Sequence, residues 1–140
     1  MSLQMDAAEL MAFLGEIFPQ VSDDFKIDDL SADEISMRLF VKDKHLRPGG
    51  TVSGPSMFAL ADYAAYAMVL ARIGREALAV TTNCSMDFMR KPVAGEDLVG
   101  TCRLLKLGRS LAVCDILIQS TGLNAPVAHA NMTYSIPPDR

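Results

Sequence analysis

The sequence predicts an α+β domain in which an antiparallel sheet wraps around one long buried helix. Three observations lead there. The stretch from Val52 to Ala71 is apolar on every side, and a helix without a polar face is normally buried. From Ala77 onward the apolar residues alternate with polar ones, which is the period of a half-buried strand. Strands follow one another instead of alternating with helices, so the layers are segregated and the sheet is not of the parallel α/β kind.

Taken in order, residues 6–18 carry apolar positions at Leu10, Met11, Phe13, Leu14 and Ile17. That spacing makes one apolar stripe, hence a docked amphipathic helix, and Pro19 ends it. Residues 25–30 read as a weak strand. Residues 36–41 read as a stronger one, with Met37, Leu39 and Val41 alternating with Ser36, Arg38 and Phe40. A loop follows over 42–51, broken by Pro48-Gly49-Gly50. Ser53 caps the buried helix, Pro55 suits its first turn, and Gly74 closes it. In 77–88 one face carries Leu78, Val80, Thr82, Cys84, Met86 and Phe88, and the other Ala79, Thr81, Asn83, Ser85 and Asp87. Strands over 98–107, 110–118 and 127–136 complete the chain. Gly108-Arg109 makes a tight hairpin turn and Pro137-Pro138 stops the last strand. The expected organisation is one domain over 1–140, with a core over 24–136.

The chain has 140 residues, half of them hydrophobic, and a formal charge of −4, enough for a real core and too apolar for disorder. An isoelectric point near 5.0 gives no basic face for a nucleic acid. The apolar run of the central helix carries Asp62 and is short of a membrane span. No secretory leader is evident. Cys84, Cys102 and Cys114 are too far apart for a metal-binding CxxC, and an odd count argues against a disulfide framework. They read as buried or half-buried strand thiols in a reducing cytoplasm. No metal or cofactor is expected.

Within the apolar helix sits one carboxylate, Asp62. Such a group must be paired, neutralised or put to use. Gly54, followed eight residues on by the Asp of Leu60-Ala61-Asp62, resembles the central-helix signature of hotdog-fold acyl-CoA thioesterases of the phenylacetic-acid-degradation (PaaI-like) type. The resemblance runs over about 40–136. It continues through Ala79-Val80-Thr81-Thr82-Asn83, Asp87-Phe88-Met89-Arg90-Lys91-Pro92, Gly95-Glu96-Asp97-Leu98, residues 105–112 and Val127-Ala128-His129-Ala130. It implies the hotdog fold, acyl-CoA as substrate, and three catalytic positions. Asp62 would be nucleophile or general base, Gly54 would offer its N–H to the thioester carbonyl, and Thr81 would help place the water. The chain departs from the family where His usually precedes that glycine (Ser53), where a second glycine follows (Pro55), and where an Asn is common (Arg47). The loop before the helix is therefore remodelled.

The chemistry suits these residue types. Thioester hydrolysis needs a carboxylate that attacks or activates water and donors for the oxyanion. A helix start supplies fixed N–H groups. Pro55 donates nothing, so the donor is Gly54 or Ser56. Gly54 and Asp62 stand about 12 Å apart on one helix at 1.5 Å rise per residue, too far for one carbonyl. Both act together only if Gly54 of one subunit meets Asp62 of another across a two-fold axis. That predicts an obligate dimer, with a dimer of dimers as the larger assembly.

Candidate substrate contacts are Ser53, Arg47, Asn83, Arg90, Lys106 and Arg109. Ser53 also reads as a plain N-cap, Thr81 as a strand residue by propensity, and Asp62 as a structural acid held by a Thr or Arg. The basic residues Arg90-Lys91 and Lys106 with Arg109 read either as solvated turn charges or as holders of coenzyme A phosphates. Two other functions compete with thioester hydrolysis. One is a hydratase or dehydratase, for which His45-Leu46-Arg47-Pro48-Gly49 offers a His but Ala59 stands where its acid is expected. The other is a non-catalytic acyl-CoA binder.

Overall fold

The first helix, α1 (Ala7–Ile17), begins at a reciprocal cap. The Asp6 carboxylate accepts from the Glu9 N–H at 2.8 Å, and the Glu9 carboxylate accepts from the Asp6 N–H at 3.1 Å, so two end donors are satisfied together. In this computed structural model, which describes residues 2–138, α1 lays Leu10, Phe13 and Leu14 on the core. A single 3-10 turn, Ser22–Asp24, then leads into strand β1 (Phe25–Leu30) and its hairpin partner β2 (Glu34–Leu39). The weak strand expected over 25–30 is thus a full one.

Helix α2 runs Gly54–Ile73. It starts at Ser53, whose side chain accepts from the Ser56 N–H, and stops at Gly74, whose φ of 97° is open to glycine. By length and composition it could cross a membrane. Here it is the core helix, packed in the concave face of a six-stranded sheet against β2, β3, β4, β5 and β6. Strands β3 (Val80–Phe88), β4 (Leu98–Leu107), β5 (Leu111–Ser120) and β6 (Ala128–Ser135) complete that sheet in the order β1-β2-β4-β5-β6-β3. Every neighbouring pair is antiparallel. The helix-facing residues of β5 are Ala112, Cys114, Ile116 and Ile118, and those of β6 are Ala128, Ala130, Met132 and Tyr134. Gly100 on β4 lets α2 approach: a Cβ there would lie 3.2 Å from Leu60 Cγ.

Two expectations need correcting. The strand over 77–88 is not half-buried. β3 crosses to a free edge beside β6, and both of its faces are largely exposed, because no strand lies beyond it. Its strict alternation also fails. The register slips between Thr81 and Asn83, a bulge that leaves Thr82 unpaired and moves Thr81 onto the face shared with Cys84, Met86 and Phe88. The thiol reading holds for Cys102 and Cys114, which are buried, whereas Cys84 lies exposed on β3.

Candidate active site

Asp62 projects from the third turn of α2 towards the start of β3, where the bulge has turned Thr81 inward. Thr81 Oγ1 donates to Asp62 Oδ1 at 2.5 Å. The Tyr134 hydroxyl donates to the same oxygen at 2.7 Å and lies 3.0 Å from the Asp62 main-chain carbonyl. Tyr134 comes from β6, directly opposite Thr81 in the ladder. The half-buried carboxylate therefore has two hydroxyl donors on one oxygen. It opens on a cavity of about 570 Å³ between α1, α2 and β3, walled by Phe18, Phe25, Phe58, Tyr63 and Tyr66.

The tyrosines around it are tightly placed. Tyr63 stacks on Phe25 with centroids 4.2 Å apart. Burial, with Tyr66 adding to it, pushes the Tyr63 phenol up to about 12. The Tyr66 hydroxyl donates to the Ala77 carbonyl at 2.7 Å. Burial, and next the Asp62 charge, hold the Tyr134 phenol far above its ordinary value, so it stays a donor at any working pH. Cys84 is likewise raised, first by burial and then by Asp62.

Gly54 lies at the other end of β3. Its backbone faces the Phe88 ring: a Cβ there would meet the ring at 3.4 Å. At this helix start the Ser56 N–H is taken by Ser53 Oγ at 3.3 Å, and the Met57 N–H by the Ser53 carbonyl at 3.1 Å. Among the described residues no acceptor takes the Gly54 N–H, whereas the Ser56 N–H is engaged by its cap. Gly54 lines a second cavity of about 370 Å³ together with Arg47, Met57, Phe88 and Arg90.

The remaining candidates are divided. Ser53 is the N-cap. Arg47 and Arg90 stand at the Gly54 cavity, Arg90 also donating to the Pro126 carbonyl at 2.5 Å. Arg109 is exposed in the turn between β4 and β5, at the Thr81 end of the sheet. Lys106 lines a separate hollow with Asp33 and Arg72. Asn83 pairs with Thr133 on the outer face of the sheet, in neither main cavity. Neither histidine approaches Asp62. His45 is buried, accepting at Nδ1 from the Lys42 N–H at 2.9 Å and lying 3.6 Å from Asp24. His129 pairs with Asp115 at 2.6 Å on the outer face. Sequence reasoning missed Tyr134, since nothing local marks a residue that meets Asp62 from 72 positions away.

The description "Thioesterase superfamily" belongs to the family model that matches residues 49–127. A protein of Silicibacter sp. TM1040, solved as a thioesterase candidate, is 65% identical over 99% of this chain and 96% of its own, with a TM-score of 0.93. The chain belongs to the thioesterase superfamily. It is a thioester hydrolase with the hotdog fold, an antiparallel sheet around one long helix. A mutant of the phenylacetic acid degradation protein PaaI from Thermus thermophilus is similar at 27% identity, over 85% of this chain and 99% of that one, with a TM-score of 0.73. A hypothetical thioesterase of Streptococcus pneumoniae, solved with coenzyme A, shares the fold at 17% identity, covering 91% and 96%, with a TM-score of 0.77. No protein of curated function matches this thioesterase. Asp62 and Gly54 both fall within the matched residues 49–127, and each lines its own cavity.

Proposed function

We propose that this thioesterase hydrolyses acyl-CoA at sites shared between two subunits, Asp62 acting as base or nucleophile on a carbonyl polarised by the Gly54 N–H of the partner. One observation carries the reading. Asp62 contacts Thr81 at the start of β3, Gly54 lies against Phe88 at its end, and β3 is an edge strand of the sheet. An edge strand with Val80, Phe88 and the adjoining Leu78 and Met89 exposed is a template for another strand. Pairing β3 with its own copy, antiparallel about a two-fold axis near Cys84 and Ser85, sets the start of one strand beside the end of the other. Gly54 of each chain then comes to Asp62 of its mate, and the separation of about 12 Å along the helix is bridged by symmetry.

The surroundings fit an acyl-CoA. The apolar cavity beside Asp62 accepts an acyl group, while Arg47 and Arg90 stand by the Gly54 cavity with the charge and geometry for phosphate oxygens. The coenzyme A bound by the Streptococcus pneumoniae relative supports the same ligand class here. The hydratase reading loses ground because His45 is committed to Asp24 and the backbone of Lys42. Coenzyme A release from acetyl-, hexanoyl- and benzoyl-CoA, followed with a thiol reagent, tests the proposal. Asp62→Asn, nearly the same shape but unable to act as base or nucleophile, should lower kcat by about 10²-fold or more. Full turnover by that variant would reject the mechanism, and an active monomer would reject the shared site.

A further inference from the structure

We propose that Tyr134 is a positioning residue which, with Thr81, locks Oδ1 of Asp62 and so leaves Oδ2 as the oxygen that acts on the substrate. This rests on the catalytic reading of Asp62 given above. A free aspartate side chain turns about its last torsion and offers either oxygen. Here the two donors converge on one of them, Thr81 Oγ1 at 2.5 Å and the Tyr134 hydroxyl at 2.7 Å. Among the described residues no group donates to Oδ2. The donors come from adjacent strands in register with one another, so the sheet, not the helix, fixes the carboxylate plane.

Tyr134 is well placed to hold rather than to react. Its side chain is 2% exposed, and its ring lies 6.1 Å from that of Tyr66 at 29°. Its hydroxyl oxygen lies nearer Asp62 Oδ1, at 2.7 Å, than the Asp62 main-chain carbonyl, at 3.0 Å, and a charged acceptor is the stronger one. The other titratable groups around Asp62 are Tyr63 and Tyr66 on α2 and Cys84 on β3, each raised from an ordinary value well above neutral. None of these changes charge below neutral pH.

The test is steady-state kinetics of Tyr134→Phe with the fastest of the three acyl-CoA probes. Removing one donor from a carboxylate raises its pKa, and a hydrogen bond to a charged group is worth enough to change the rate by about tenfold to a hundredfold. The expected result is a kcat lower by that factor, KM within about twofold, and the acid limb of the kcat/KM profile moved to higher pH. Thr81→Val should do the same through the other donor, and it serves if Tyr134→Phe fails to fold. A folded Tyr134→Phe enzyme with wild-type kcat and an unmoved acid limb, alongside an inactive Asp62→Asn, overturns the positioning role while leaving the catalytic reading intact. An active Asp62→Asn removes both.

Discussion

Thr81 meets Asp62 at 2.5 Å because strand β3 holds one residue more than its partner between Thr81 and Asn83. Counted back from the pair Phe88 and Ala128 in unbroken register, Thr82 would stand opposite Tyr134 and Thr81 would point to the outer face. The bulge exchanges them. Bulges commonly re-aim a side chain beside an active site.

The exchange is directly testable. Thr81→Val should lower kcat about tenfold or more through the lost charge-assisted hydrogen bond, whereas Thr82→Val should leave kcat within about twofold. Thiol-release kinetics on the two variants decide it. The reverse ranking would mean that the ladder is regular in solution.

A site shared across a two-fold axis predicts complementation. Asp62→Asn lacks the acid, and Gly54→Pro lacks the N–H at a helix position where proline is otherwise tolerated. Each alone should be nearly inactive. Unfolded and refolded together in equal amounts, they should recover about a quarter of wild-type activity, since half the dimers are mixed and each mixed dimer holds one intact site. No recovery from folded, dimeric mixtures would place both groups within one chain's site.

Gly100 and Leu60 set the closeness of helix and sheet. A methyl at residue 100 would sit 3.2 Å from Leu60 Cγ, in a fully buried layer. Gly100→Ala should destabilise the fold by about 1–3 kcal/mol through overpacking, read as a lower urea midpoint with an unchanged m-value.

The cluster of Asp24, Lys42, Lys44 and His45 should make stability depend on pH. Burial pushes the His45 imidazole below its ordinary 6.5, against the pull of Asp24. The unfolded chain therefore takes up a proton before the folded one does, so stability is lost as pH falls below about 6.5. Asp24 acts in the same direction at lower pH. Burial raises it, but Lys42 at 2.7 Å and Lys44 at 2.8 Å outweigh that and hold it below 3.8. Its stabilisation is present above the unfolded pKa and lost as pH drops through the folded one. Thermal unfolding at pH 7.5 and 5.5 should show a fall in Tm for the wild type and a smaller fall for His45→Gln.

The helices, the strands and the lone acid of the central helix were legible in the sequence. Those are local facts: the apolar stripe of α1, the caps at Ser53 and Gly74, the alternation in β2 and β5, and a lone carboxylate in the apolar α2. Gly54 with Asp62 also marked the family, because that spacing lies on one continuous helix. The surroundings of Asp62 come from long-range folding. Tyr134 reaches it from the far end of the chain, and Thr81 reaches it through a bulge that periodicity cannot register. The exposure of β3 depends on which strand ends beside it, and β6, not β4, does so. These are consequences of how the sheet closes, and closure is set by long-range pairing energies that no short window of residues contains.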